Sequence, residues 1–124
     1  MTDEMLDTAK RLCEHLELPH EIATLSYELW ADILSLVHRS PIRLLVDCIY
    51  VIAFVTGRRR SIRSMRAASL AITGYPVRVL RYDRRENNPR WVQQPLYQEH
   101  ILSKVPDPEA LDLLLKEYES DEEE

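Results

Sequence analysis

Residues 44–55 are apolar with the single exception of Asp47. Nothing else in the chain constrains its fold as tightly. Ser40-Pro41 in front of the run supplies an N-cap and a proline at the first helical position. Gly57 behind it is placed to close the helix. A helix that is apolar on nearly all sides must be surrounded by other elements rather than laid on a surface. It is too short, and too interrupted by Asp47, to cross a bilayer. Its charged residues, Arg43 and Asp47, lie one turn apart and are expected to pair. The rest of the chain must therefore supply enough amphipathic structure to wrap this helix.

The flanking sequence does so in helical periods. Met5, Leu6, Ala9, Leu12, Cys13 and Leu16 form an i, i+3/i+4 stripe, which predicts a first helix over about 3–16. Leu18-Pro19 is expected to end it, because the residue before proline avoids the helical region. A second helix is predicted over about 21–37, with Ile22, Leu25, Leu29, Ile33 and Leu36 inward and Trp30 alongside. A fourth covers about 61–72, with Ile62, Met65, Ala68 or Ser69, and Ile72 facing the core. Thr73-Gly74-Tyr75-Pro76 makes a tight break, and a fifth helix is predicted over 76–86, stopped by Asn87-Asn88-Pro89. Beyond it, 95–105 reads as a short helix. Asp107-Pro108-Glu109 opens a last one reaching about residue 118. The predicted class is all-α: five or six helices around a central buried third helix, with a C-terminal helix-turn-helix-like unit at 61–72 and 76–86. The expected organisation is a helical domain over 1–90, an extension with an additional helix over 91–119, and an acidic disordered tail over 120–124.

A length of 124 residues suits one domain. Two cysteines, Cys13 and Cys48, are too few for a disulfide scaffold. Only two residues are glycine, far below the usual ~7%. Phosphate loops of the GxGxxG or Walker type have no counterpart, and HExxH is missing too. The spacing of Cys13, His15 and His20 matches no standard zinc pattern. No nucleophile lies in a recognisable motif, and the carboxylates fall in solvent-like runs. The expectation is a protein without catalytic residues, metal or cofactor, acting on no small-molecule substrate. Tyr27, Trp30 and Tyr50 are read as core aromatics, Trp91 as an anchor to the core, and Cys48 as a small buried hydrophobe. The acidic start, with no apolar stretch behind it, carries no export signal, so a soluble, non-secreted protein is expected.

Charge is the remaining signal, and it is segregated. Residues 1–57 carry four basic and nine acidic side chains, a balance of −5. Residues 91–124 carry two lysines and ten acids, a balance of −8. Between them, residues 58–90 carry ten arginines against Asp83 and Glu86, a balance of +8. Overall there are thirteen arginines to three lysines, and the guanidinium fork suits bidentate contact with phosphate or guanine. The candidate DNA-contacting set is Arg58, Arg59, Arg60, Arg63, Arg66, Tyr75, Arg78, Arg81, Arg84 and Arg85. The competing reading is a solvated face, or arginines neutralised by the acidic C-terminal part of the same chain. Ser61 and Ser64 lie among these arginines, where phosphorylation would cancel local positive charge, although serines so placed commonly act as caps.

The order of these features resembles the second cyclin-fold repeat of the transcription factor IIB family. The matching residues are Ser40-Pro41-Ile42 at a helix start, Ile49-Tyr50 in the central helix, Ser61 with Met65, and Pro76-Val77-Arg78 at the start of a last helix. The stretch 16–22, Leu-Glu-Leu-Pro-His-Glu-Ile, is similar to the loop between the repeat's first two helices. The resemblance covers about residues 5–90. It implies a transcription-related, promoter-type duplex DNA partner, with base reading by Arg78 and a smaller contact by Tyr75. Arg63, Arg66 and Arg81 would lie near phosphates. Transcription-machinery proteins are possible further partners. It also implies a nuclear location in a eukaryote or a cytoplasmic one in an archaeon. This chain departs from the pattern in having Leu-Leu-Val-Asp-Cys where the family's central helix is alanine-rich. The zinc ribbon, first repeat and linker have no counterpart in these residues, nor has the acidic stretch from Glu99. Two alternatives stand beside it: a protein-interaction module whose arginines bind an acidic partner, and a small dimeric helix-turn-helix regulator.

Overall fold

A computed structural model of the chain describes residues 3–37, 40–75 and 91–123, for Asp3 and 118–123 as backbone only. The described residues are all-helical: α1 Asp3–His15, α2 His20–Ile33, α3 Pro41–Val55, α4 Ile62–Thr73, a 3-10 turn at Trp91–Gln93, α5 Pro95–Lys104 and α6 Pro108–Glu123. None of these helices is long and apolar enough to cross a membrane. The predicted helix over 76–86 and its stop at 87–89 lie outside the described residues, as do Arg78, Arg81, Arg84, Arg85 and Arg90.

α3 is the axis of the fold. Eleven of its fifteen residues are buried, Asp47 among them. Ser40 caps it as its sequence predicts, its hydroxyl accepting the Arg43 N–H at 3.3 Å. The far end closes in a Schellman turn. Gly57 at φ +80° donates its N–H to Phe54 O, and Arg58 donates to Ala53 O at 2.7 Å. α1, α2, α4 and α6 all pack on α3, and α5 lies against α2.

Two helix ends differ from expectation. α1 ends at His15, and its stop comes from the backbone rather than from Pro19. Glu17 adopts φ +58°, Leu18 N–H reaches Cys13 O at 2.7 Å and Glu17 N–H reaches Glu14 O. This is the same Schellman geometry with a glutamate where glycine is usual. α2 ends at Ile33, short of the predicted 37, and the chain passes into a turn over 34–36. Leu36, expected inside, is consequently 47% exposed, because the helical register that would bury it has already stopped.

The extension packs into the same core. Trp91, Val92, Tyr97, Ile101, Leu111 and Leu114 are buried in one cluster with the residues of α1–α4. Trp91 is the anchor its sequence context suggests: it is 3% exposed, and its Nε1–H donates to Asp47 Oδ2 at 3.3 Å. Tyr97 Oη donates to Leu36 O at 3.1 Å, and Lys104 pairs with Asp32 at 2.8 Å. Trp30 and Tyr50 are core aromatics; Tyr27 is half-buried, stacked on Trp30 at 5.7 Å. The backbone of α6 stays helical to Glu123, through the stretch 120–123 expected to be disordered. No glycine or proline follows Pro108 to break it.

Candidate nucleic-acid interface

Six of the ten candidate residues lie within the described structure, and they divide by role. Ser61 caps α4, its hydroxyl accepting the Ser64 N–H at 3.0 Å. The inward face that follows, Ile62, Met65, Ala68 and Ser69, is buried as the periodicity predicts. The opposite face is solvent-exposed and holds Arg63, Arg66 and Leu70 at i, i+3 and i+7. Neither arginine makes an ion pair among the described residues, and neither does Arg58 in the turn before the helix. Leu70 is 53% exposed between the arginine stripe and the helix end. Its period alone would have placed it here, four residues after Arg66.

The end of α4 is held by its own side chains. Gly74 sits at φ +81° and donates to Leu70 O. Ser69 Oγ donates to Tyr75 O at 2.7 Å, Thr73 Oγ1 donates to Ser69 O at 2.7 Å, and Tyr75 N–H donates to Thr73 Oγ1 at 3.2 Å. The break expected at 73–76 is thus built into hydroxyls one turn apart. It leaves the Tyr75 ring exposed at the point where the chain enters 76–90. Arg78, Arg81, Arg84 and Arg85 lie in that segment, outside the described residues.

Arg60 and Arg59 do other work. Arg60 Nε donates to Leu16 O at 2.8 Å, and its Nη2 donates to Glu17 O at 3.1 Å. Its Nη1 donates to Arg58 O and Arg59 O. One guanidinium thus clamps the end of α1 to the turn after α3, at carbonyls that carry the negative end of the α1 dipole. Arg59 lies 5.3 Å over the Phe54 ring and pairs with Glu117 of α6. The pair with Glu117 is a case of the neutralisation by the acidic C-terminal part that the sequence offered as a competing reading, whereas the Phe54 contact had no signal in the sequence. Phe54 reads as core, and it is the one partly exposed residue in the apolar run.

The groups considered for other chemistry are separated. Cys13 is buried, while His15 and His20 are exposed, His20 lying 3.6 Å from Glu14. No cluster of three or more metal-ligating side chains occurs among the described residues. Burial pushes the Cys13 thiol up to about 12. Burial, with the Asp47 carboxylate beside it, raises Cys48 well above the ordinary value. Neither thiol is a nucleophile at neutral pH. No protein family, curated protein or solved structure matches the chain.

Proposed function

We propose that the chain is a non-catalytic, transcription-related domain that binds duplex DNA, of the kind a transcription factor IIB-like cyclin repeat provides. The observation that carries this reading is the outer face of α4. Arg63 and Arg66 on that face, and Arg58 in the turn before it, stand exposed and unpaired among the described residues, and Tyr75 is exposed past the far end of the helix. The five further arginines of 76–90 follow directly in sequence. The helical order around a buried third helix with a Ser40-Pro41 start supports the cyclin-repeat assignment in the same sense. In this mechanism Arg58, Arg63 and Arg66 neutralise phosphates, while Arg78 and its neighbours address the groove. The acidic first and last parts of the chain repel the duplex and orient it. The site of action is the nucleus in a eukaryote or the cytoplasm in an archaeon.

Fluorescence anisotropy with labelled duplex across a salt titration tests the reading. Three neutralised phosphates give a log–log slope of about −2.7. Arg63→Glu with Arg66→Glu is expected to weaken binding more than about tenfold and to flatten the slope by about 2, with the helical circular dichroism unchanged. Equal binding by the double variant would remove α4 from the interface.

The Arg59–Glu117 pair favours a second reading, in which the arginine block binds an acidic protein helix. The chain's own α6 is then a first example of such an occupant. Ending the chain at residue 116 discriminates. Tighter duplex binding by the 1–116 chain supports the first reading, with α6 as competitor for the arginines. Capture of an acidic helical peptide by 1–116, with no duplex binding at low salt, supports the second.

A further inference from the structure

Ser61 does more than cap a helix. It follows Arg58-Arg59-Arg60 and precedes Ile62, and no other serine or threonine of the 124 residues has arginine both two and three positions before it. Residues 58–61 lie outside any helix, and Ser61 itself is extended at φ −70°, ψ 156°. Its side chain is exposed, and so are Arg58 and Arg59. Arginine-directed serine/threonine kinases take their substrates as an extended strand. Acidic pockets on the kinase pair with arginines two and three residues before the serine, and an apolar site takes the residue after it. Ser69, the serine with arginine only at the third position before it, is fully buried and hydrogen-bonded to Tyr75 O.

We propose that Ser61 is a phosphorylation site for a kinase of this class, and that the phosphoserine turns down the arginine face. The second part rests on the duplex-binding reading above. In the transfer, Ser61 Oγ forms a bond to the γ-phosphorus of ATP and the bond from that phosphorus to the ADP oxygen breaks. The hydroxyl proton passes to the kinase's catalytic carboxylate.

Three residues, Ser61, Ile62 and Arg59, must give up contacts. Ser61 Oγ releases the Ser64 N–H and its own 2.9 Å bond to Ser64 Oγ. Ile62, at the first position of α4, leaves the margin of the core, where it is 9% exposed. Arg59 leaves the Phe54 ring it lies 5.3 Å over, and Glu117, in a pair whose two side chains are 46% and 25% exposed and hence screened by solvent. The product carries about −1.5 to −2 charges at the first turn of α4. There the phosphate meets the backbone N–H groups of the helix start, which favours the modified helix. It also competes with nucleic-acid phosphate for Arg58 and Arg63.

The test is incubation of the folded full chain with the catalytic subunit of an arginine-directed kinase and Mg-ATP, followed by site mapping by mass spectrometry. One phosphate on Ser61 is expected, lost in Ser61→Ala and retained in Ser64→Ala. Modification at Ser64 instead overturns the assignment. So does modification of a 55–68 peptide with none on the folded chain, which would show that the fold withholds the site. The phosphorylated chain is expected to bind duplex about tenfold more weakly, with a salt slope shallower by 1–2. Unchanged affinity overturns the switch and leaves the site. Phosphate on Ser61 with no duplex binding by either form overturns the nucleic-acid reading and leaves the site as well.

Discussion

Arg60 belongs by composition to a block of ten arginines, yet four of its five N–H donors go to main-chain carbonyls of Leu16, Glu17, Arg58 and Arg59. Its neighbours Arg58 and Arg63 make no such side-chain contacts among the described residues, so alanine substitutions should separate the two roles. Arg60→Ala is expected to lower unfolding stability by about 2 kcal/mol, read from the urea midpoint. Arg60→Lys should not restore it, since a point-like ammonium cannot span the four carbonyls. Arg63→Ala should stay within about 0.5 kcal/mol of the parent. The cysteines make a prediction in pH. Cys13 keeps its proton in the fold up to about 12, whereas in the unfolded chain it ionises near its ordinary 9.0. Above 9 the unfolded state therefore binds fewer protons, and stability falls as pH rises, by about 1.4 kcal/mol per pH unit for each such thiol. Urea midpoints at pH 8, 9.5 and 10.5 should drop more steeply for the parent than for Cys13→Ala/Cys48→Ala.

At the scale of elements, the two Schellman turns form a natural pair. Gly57 and Glu17 occupy the same left-handed position after α3 and α1. A Cβ on Gly57 meets no atom within 4 Å, so the penalty of Gly57→Ala comes from φ alone. It is expected to cost about 1 kcal/mol. Glu17→Gly relieves the opposite situation and should gain about 0.5 kcal/mol, the relief offset in part by a freer unfolded chain. Both are measured by thermal or urea unfolding. The pair also explains what could be read in advance. α3 was legible because serine, proline and glycine each act through their own backbone preferences. The inward faces of α1 and α4 were legible through periodicity. The stop of α1 was not, because glutamate carries no left-handed signature and its carbonyl is held by a side chain 43 residues away. The early end of α2 was hidden for a related reason: Leu36 continues the apolar period, and only the turn at 34–36 shows that the helix has stopped. Of the candidate interface, the stripe of Arg63 and Arg66 followed from spacing. Charge counting offered an acidic C-terminal partner for the block without saying which arginine takes it, and the clamp of Arg60 depends on main-chain carbonyls that charge counting does not register.

At the scale of the whole molecule, the arginine-rich stretch 76–90 runs between two fixed points. Tyr75 is held through its carbonyl by Ser69, and Trp91 is seated against Asp47 of α3. The residues after it fill the same core as those before it, so the covalent link contributes less to their association than the packing does. Burying Trp91, Val92, Tyr97, Ile101, Leu111 and Leu114 is worth about 1.5–3 kcal/mol each, against an association cost of about 4–15 kcal/mol for two separate bodies. A chain cleaved at an engineered protease site between Asn87 and Asn88 should therefore elute from a sizing column as one species at micromolar concentration. Separation into two peaks would show that the peptide bond holds the halves together. Trp91 and the core residues after it should then let the protein work as a split pair, whose two pieces find each other without a linker.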